Sequence, residues 1–136
     1  MRCSRLFVPF LFVIFHSSYA EPVVATFSIV AADPEAGEVG VAVASRFFSV
    51  GSVVPFGEGG IGAVATQASA DVSFGPRGLE LLARGVTPEE IVPILLRGDE
   101  AAARRQFGIV SASGNSVTYT GRDCGPWAGG RNGPNY

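Results

Sequence analysis

The nucleophiles and bases in this sequence are few, and their scarcity limits the chemistry that it could perform. The chain of 136 residues has ten arginines, no lysine, one histidine (His16) and two cysteines (Cys3 and Cys124). Without a lysine it has no Schiff base, no P-loop lysine and no lysine general base. Its 10 cationic and 12 acidic residues also form no basic cluster that would bind nucleic acid.

The first twenty residues have the pattern of a secretory signal peptide. Two arginines precede a short apolar run, Leu6 to Phe15, and small residues follow as far as Ala20. The ten residues of this run are too few to cross a bilayer, which takes about 20. The pattern predicts a signal peptide over residues 1–20 and one secreted or periplasmic domain over residues 21–136, without a membrane span. The alternative is that the run forms a buried strand or helix.

Removal of this leader takes away the single histidine and Cys3, and leaves Cys124 as the only cysteine. A Ser-His-Asp triad, a Cys-His dyad and a histidine-ligated zinc site then cannot form, nor can an intrachain disulfide. We therefore expect the domain to hold no metal and no cofactor. Cys124 has no base to activate it, so we expect a small buried residue or a surface thiol.

Three other stretches have a weak likeness to known sites. The glycine-rich stretch Gly51 to Gly62 has no lysine and no following helix, so a turn before a strand is favoured over a phosphate-binding loop. Asp33, Glu35 and Glu38 lack the ligand spacing of a calcium loop and are typical of a solvated turn. The segment Ser73 to Gly75 lacks the first glycine of a nucleophile elbow.

The spacing of apolar residues predicts strands at both ends of the domain and helices in the middle. Alternation of apolar and polar residues predicts a hairpin of Thr26–Ala31 and Glu38–Ser45. In the second of these strands valines lie on one face, and the glycine and alanines on the other face predict that another layer covers it closely. Thr87, Pro88 and Glu90 have the spacing of a capping box at a helix start. The other predicted elements are a strand at Ile61–Thr66, a helix at Pro76–Arg84, a helix from Pro88 that ends at Gly98, and strands at Gln106–Ser111 and Ser116–Thr120.

This order of elements predicts an α+β fold in which two helices cover one face of a sheet. The other face needs a second sheet, which about five strands supply only in part. We therefore expect the apolar side chains of the last hairpin to lack partners on one side: Ile109, Val110, Val117 and Tyr119. The stretch from Gly121 to Tyr136 offers no further strand. The domain is thus expected to be incomplete at its C-terminal end, or to self-associate as a homo-oligomer.

Several motifs are spread over the domain: Thr26–Ala31, Asp33–Pro34, Gly40–Phe47, Gly62–Ala68, Gly75–Leu79, Tyr119–Gly121, and Cys124 with Trp127–Gly129. Together they resemble the bacterial domain-of-unknown-function family one-zero-two-eight. Members are usually longer, so the chain resembles the family's N-terminal part. The resemblance implies an N-terminal-nucleophile hydrolase-like fold, a four-layer sandwich with helices over two stacked antiparallel sheets. It implies no established substrate.

The resemblance also implies a catalytic role for Thr26. Enzymes of this type use an N-terminal Thr, Ser or Cys whose own α-amine is the base, so they need no histidine. That amine has a reference pKa of about 7.7–8.0. Cleavage after Ala20 would leave five residues before Thr26 and block its amine, whereas cleavage after Ala25 would free it. The alternative is that Thr26 is an ordinary β-branched residue at the start of a strand.

Two further residues are candidates for the same site. Proteasome-type sites place a lysine beside the nucleophile, and Arg46 would take its electrostatic part, although an arginine cannot shuttle a proton. The alternative for Arg46 is an ion pair with Glu38 or Asp33. The backbone at Thr66 and Gln67 follows a strand and would supply oxyanion donors; the alternative is a simple strand end.

Two classes of function remain open on these grounds. One is an exported amide-bond hydrolase that uses Thr26 on a small-molecule or peptide substrate. The other is a non-catalytic secreted module, for binding or structure, on the same scaffold. The mature N-terminus distinguishes them, because a chain that starts at Thr26 favours the enzyme and one that starts at Glu21 favours the module.

Overall fold

The computed structural model describes residues 26–136, which contain six strands and two helices. The predicted signal peptide and the five residues after it lie outside the described residues. The elements are β1 (Phe27–Asp33), β2 (Glu38–Ala44), β3 (Pro55–Glu58), β4 (Gly62–Ala68), α1 (Phe74–Ala83), α2 (Pro88–Leu96), β5 (Arg105–Ser111) and β6 (Ser116–Thr120). Two short 3-10 turns lie at Val50–Ser52 and Ala102–Arg104.

Strands β1 and β2 form the predicted hairpin, with Phe27 opposite Ala44 at its open end. At the closed end the Asp33 carboxylate accepts the N–H groups of Glu35 (3.0 Å) and Ala36 (3.1 Å). A short acidic side chain that accepts from the backbone two and three residues ahead is a common way to close a turn. The Asp33 side chain therefore helps to close the hairpin turn.

The second sheet has the strand order β3-β4-β5-β6 and is antiparallel throughout. The sequence predicts β4, β5 and β6. It does not predict β3, because Pro55 and Gly57 lie in the stretch that indicates a turn. This strand pairs with β4 at the edge of the sheet, where a proline removes no hydrogen bond between strands.

The two helices form where the sequence predicts them. Helix α1 begins at Phe74, two residues before its predicted start. At the start of α2, Thr87 Oγ1 accepts the N–H of Glu90 (3.4 Å) while the Glu90 carboxylate accepts the N–H of Thr87 (3.1 Å). These two bonds are the predicted capping box, and the one from the Thr87 N–H lowers the pKa of Glu90. Pro93 lies inside α2 without ending it.

The four-stranded sheet is the middle layer, with the helices on one face and the hairpin on the other. Toward the helices, the rings of Phe107 and Phe74 meet edge to face with 5.4 Å between centroids. The other fully or nearly buried members of this core are Val64, Leu82, Ile91, Leu95 and Ile109. A smaller core toward the hairpin contains Val30, Val54, Ala63, Ala65 and Val110.

The apolar residues of the last hairpin all have partners. Ile109 and Val110 are fully buried, one in each core. Val117 and Tyr119 are partly buried against the helix-side core. The prediction that these four side chains lack partners on one side is therefore wrong. Successive residues of a strand face opposite sides of the sheet, and this sheet is covered on both sides.

The segment after β6 forms no strand, as the sequence predicts, yet it packs along the sheet. Ser116 Oγ lies within hydrogen-bond distance of the carbonyls of Gly133 (2.8 Å) and Tyr136 (2.5 Å). The N–H of Ala32 in β1 donates to the carbonyl of Asn135 over 2.9 Å. We call residues 121–136 the C-terminal segment; it connects the end of β6 to the outer edge of β1.

These layers confirm the predicted α+β fold with two stacked antiparallel sheets. Within residues 26–136 the stack has three layers: the helices, the four-stranded sheet and the hairpin. The second helical layer of the predicted sandwich has no counterpart among these residues. The outer face of the hairpin is accordingly open, with Phe27 72% and Ile29 54% exposed. The glycine and alanines of β2, which the sequence predicts under a covering layer, lie on this exposed face.

Candidate functional site

Thr26 and Ser45 lie opposite each other at the open end of the hairpin, one pair beyond Phe27 and Ala44. Their hydroxyl oxygens are 2.9 Å apart, so one hydroxyl donates a hydrogen bond to the other. The N–H of Phe47 donates to Ser45 Oγ over 3.0 Å, which fixes the position of that oxygen. Both Thr26 and Ser45 are half-buried. The Thr26 hydroxyl is thus held by a defined partner.

A cavity of about 650 Å³ opens beside this hydroxyl pair, and we call it the Thr26 cavity. Its polar lining residues are Thr26, Ser45, Arg46 and Gln67. The apolar part of its wall comes from Phe47, Val50, Val53, Val54, Ala68 and Ala70. The structure therefore brings to one cavity the three residues that the sequence and the family resemblance single out, Thr26, Arg46 and Gln67, although they come from separate strands and loops.

Arg46 lies two residues after the end of β2 and is exposed at the cavity. Among the described residues it forms no ion pair, and the alternative of a bond to Glu38 or Asp33 is wrong. The reason is distance along the strand. Glu38 and Asp33 pair at the opposite end of the hairpin, and β2 alone, from Glu38 to Ala44, spans about 20 Å at roughly 3.3 Å per residue.

The end of β4 presents a side-chain amide to the site rather than backbone donors. The N–H of Thr66 donates to the carbonyl of Val54 over 3.0 Å, so it is not available to an oxyanion. Because successive residues turn their N–H groups to opposite strand edges, the N–H of Gln67 faces β5. The Gln67 side chain lies on the hairpin side of the sheet and lines the cavity.

A chain of side-chain hydrogen bonds extends from the hairpin through Gln67 into the sheet. Ser28 Oγ donates to Gln67 Oε1 over 2.9 Å, and Gln67 Nε2 donates to Gln106 Oε1 over 3.1 Å. Gln106 Nε2 in turn donates to Thr120 Oγ1 (3.1 Å) and to the Gly129 carbonyl (3.0 Å). Gln106 is 9% exposed. These bonds hold the Gln67 amide in one orientation and leave one of its N–H groups without a partner in residues 26–136.

Sequence reasoning missed Arg105, which holds the loop after β4. Its Nε and Nη2 donate to the two carboxylate oxygens of Asp99 over 2.7 and 3.0 Å, and its Nη1 donates to the Ser69 carbonyl over 2.6 Å. The hydrogen bonds of this pair lower the pKa of Asp99 against the opposing effect of burial, and they raise the pKa of Arg105. The adjacent Ala68 has a φ of 59°, a left-handed conformation that costs a non-glycine residue about 1–2 kcal/mol. Arg105 thus fixes a strained part of the cavity wall.

A second cavity of about 550 Å³ lies on the other side of Gln67, between β1 and the C-terminal segment, and we call it the β1 groove. Ser28, Ile29 and Val30 form its β1 side. Its floor includes Gln67, Gln106, Gly108 and Thr118, and its far side is made by Trp127, Gly129, Gly130, Arg131, Asn132 and Tyr136. Because Gln67 lines both cavities, they adjoin at this residue.

Comparison with protein families shows where the chain belongs. A family model described as a family of unknown function, DUF1028, matches residues 26–136. The chain is a member of DUF1028. A solved DUF1028 protein from Silicibacter pomeroyi is similar to it, with 32% sequence identity and a TM-score of 0.76. The match covers 81% of this chain and 51% of that protein, so the chain spans about half the length of its solved relative. No curated protein matches it.

The remaining candidates of this DUF1028 chain have structural roles. Cys124 is a free, half-buried thiol whose Sγ contacts the Arg105 carbonyl at 3.4 Å. Ser73 Oγ donates to the Asp71 carboxylate over 2.7 Å, just before α1. In residues 26–136 no three His, Cys, Asp or Glu residues are grouped to hold a metal. No helix in this part of the chain is long and apolar enough to cross a membrane.

Proposed function

We propose that this DUF1028 chain is an exported amide-bond hydrolase with Thr26 as its N-terminal nucleophile. The observation that carries the proposal is the 2.9 Å contact between Thr26 Oγ1 and Ser45 Oγ at the Thr26 cavity. Two further facts support it. The family match begins at Thr26 itself, and the domain after the predicted leader has no histidine or lysine that could serve as a base.

The proposed reaction proceeds through a tetrahedral intermediate and an acyl ester on Thr26. Thr26 Oγ1 attacks the carbonyl carbon of the substrate amide while its proton passes to the α-amine of the same residue. The resulting tetrahedral intermediate collapses, the C–N bond breaks, and the proton goes to the departing amine. Water then hydrolyses the acyl ester on Thr26, with the α-amine again accepting and returning a proton.

The surrounding residues have separate roles in this proposal. Ser45 accepts the N–H of Phe47 and donates its own hydroxyl to Thr26 Oγ1, which leaves the Thr26 proton free to pass to the α-amine. The remaining N–H of the Gln67 amide and the guanidinium of Arg46 stabilise the oxyanion, because a positive charge and a fixed donor are both favourable where negative charge develops. The valine-lined wall receives an apolar group of the substrate.

The proposal requires cleavage between Ala25 and Thr26. An amine that is part of a peptide bond cannot accept a proton, so a chain that retains Ala25 is inactive. The free amine must also be neutral. Its reference pKa is about 7.7–8.0, so activity rises as the pH increases through this range and is lost below it.

Two versions of the domain test the proposal. Cleavage of an N-terminal fusion gives one protein whose first residue is Thr26 and a matched one whose first residue is Ala25. An alkyne-tagged β-lactone acylates an activated threonine, and intact mass reports the adduct. We expect one adduct on the first protein and on its Thr26→Ser variant, and labelling at least about 100-fold slower for the protein with Ala25. Equal labelling of both proteins, or of the Thr26→Ala variant, contradicts the proposal.

A further inference from the structure

The β1 groove exposes an edge of β1 that lacks strand partners over most of its length. The N–H of Ala32 points away from β2, because it donates to the carbonyl of Asn135. In an antiparallel pair, alternate residues turn both their N–H and C=O to the same edge. The register of β1 and β2 is unbroken, so Val30 and Ser28 turn their backbone groups to this edge as well.

These backbone groups have no partners among residues 26–136. The backbone bond from Ala32 to Asn135 is the single one that joins the outer edge of β1 to the C-terminal segment. Ser28 and Val30, four and two residues before Ala32, line the groove instead. The groove therefore presents two N–H donors and two C=O acceptors in the spacing of a β-strand.

The edge also lacks the features that usually protect an open strand. From Phe27 to Ala32 the strand has no charge, no proline and no bulge, which are the means by which proteins prevent pairing at an edge. Gly108, in the floor, packs against Val30 and has no side chain to occupy the groove. Across the groove, Trp127 is 98% exposed and Arg131 is the one charged lining residue.

We propose that the β1 groove binds an acidic peptide in extended conformation, as a strand added to the outer edge of β1. A peptide backbone offers donors and acceptors at the spacing that Ser28 and Val30 require. Arg131 favours a carboxylate on the peptide, and Trp127 offers a flat apolar surface for one of its side chains. The inference rests on the proposed function in one respect: Gln67 joins the groove to the Thr26 cavity, so this peptide is the substrate whose amide reaches Thr26.

Hydrogen exchange of single backbone amides tests this strand addition. The protein is the Thr26→Ala variant, so that binding is measured without turnover. The probe is an acetylated hexapeptide of alternating threonine and valine with a C-terminal glutamate. We expect the peptide to slow the exchange of Ser28 and Val30 by at least about tenfold. Phe27 and Ile29, whose N–H groups face β2, should not change.

Two matched pairs isolate the backbone contacts. A hexapeptide with an N-methyl group on every backbone amide has the same side chains but no N–H donor on either edge, and we expect it to bind at least about tenfold more weakly. Ser28→Pro removes the edge N–H together with the hydroxyl, whereas Ser28→Ala removes the hydroxyl alone. We expect Ser28→Pro to weaken binding well beyond Ser28→Ala, while both variants keep the same circular dichroism spectrum.

The results separate this inference from the proposed function. Protection of Ser28 and Val30 supports the peptide site even if no adduct forms on Thr26. An adduct on Thr26 without this protection leaves the hydrolase proposal and overturns the peptide site. Protection that appears without peptide and increases with protein concentration also overturns it, because a second copy of the chain then occupies the edge.

Discussion

Arg105 holds Asp99 through two parallel hydrogen bonds, from Nε to Oδ2 at 2.7 Å and from Nη2 to Oδ1 at 3.0 Å. Both side chains are about 15% exposed or less. A third bond, from Arg105 Nη1 to the Ser69 carbonyl, fixes the loop that follows β4. The pair therefore connects the segment after α2 to the wall of the Thr26 cavity.

Replacement of this acid should destabilise the fold. Asp99→Asn keeps the shape of the side chain but removes the charge that accepts both hydrogen bonds, so we expect a loss of about 1–3 kcal/mol in the free energy of unfolding. Urea denaturation measures it. The matched control is Asp123→Asn, which loosens an exposed pair with Arg122 and should cost less than about 0.5 kcal/mol. Equal effects of the two variants would show that the Asp99 pair has no special role.

The same pair predicts how stability depends on pH. The pKa of Asp99 is lowered in the folded protein by its bonds to Arg105, and in the unfolded chain it lies near about 3.9. The charged carboxylate thus contributes its full stabilisation of the fold above about pH 4, and this stabilisation is lost as the pH falls through the lowered pKa of the folded protein. The stability difference between the wild type and Asp99→Asn should be constant from pH 7 to 5 and shrink by pH 3. A difference that grows in acid would contradict this assignment.

The hydroxyl partner of Thr26 should affect reactivity without affecting folding. Ser45→Ala removes the hydroxyl that lies 2.9 Å from Thr26 Oγ1, so we expect β-lactone labelling of the Thr26-initiated protein to slow by about tenfold, or about 1.4 kcal/mol in the barrier. Ser113→Ala is the control, because Ser113 is exposed and bonds only to its own turn. A Ser45→Ala protein that reacts at the wild-type rate would remove Ser45 from the proposed site.

The first turn of α1 has no room for a methyl group at Gly75. A Cβ there would overlap the ring of Phe56 in β3. In an open helix position, alanine is about 1 kcal/mol better than glycine, but here we expect Gly75→Ala to destabilise the protein by about 1–3 kcal/mol. Gly125→Ala, at a site with nothing within 4 Å, should change stability little. Thermal unfolding of both variants shows whether Gly75→Ala destabilises the protein, as we expect, or stabilises it.

Much of the fold follows from local sequence patterns. Alternation predicts the hairpin and the last two strands, and the Thr87–Glu90 spacing predicts the start of α2. Strand β3 is not predicted, because its pairing with β4, and not its own composition, makes it a strand. The burial of both Ile109 and Val110 is not predicted either, because the sequence does not show that both faces of the sheet are covered.

The candidate site is less accessible to sequence reasoning. Thr26 and Arg46 stand out by residue type and by the family resemblance, and the structure brings them to one cavity. Arg105 has no such signal, because the Ser69 carbonyl, 36 residues away in the sequence, meets it only after β4 and β5 pair. The Gln67–Gln106 contact likewise depends on the register of those strands, in which the two residues are opposite each other.

The central claim is that Thr26 becomes the first residue of the mature protein and acts as its nucleophile. The most direct measurement is the N-terminal sequence and intact mass of the protein after export from a bacterium that expresses all 136 residues. We predict that the exported protein begins at Thr26. An exported protein that begins at Glu21 would contradict the claim, because its Thr26 amine would remain in a peptide bond and could not act as the base.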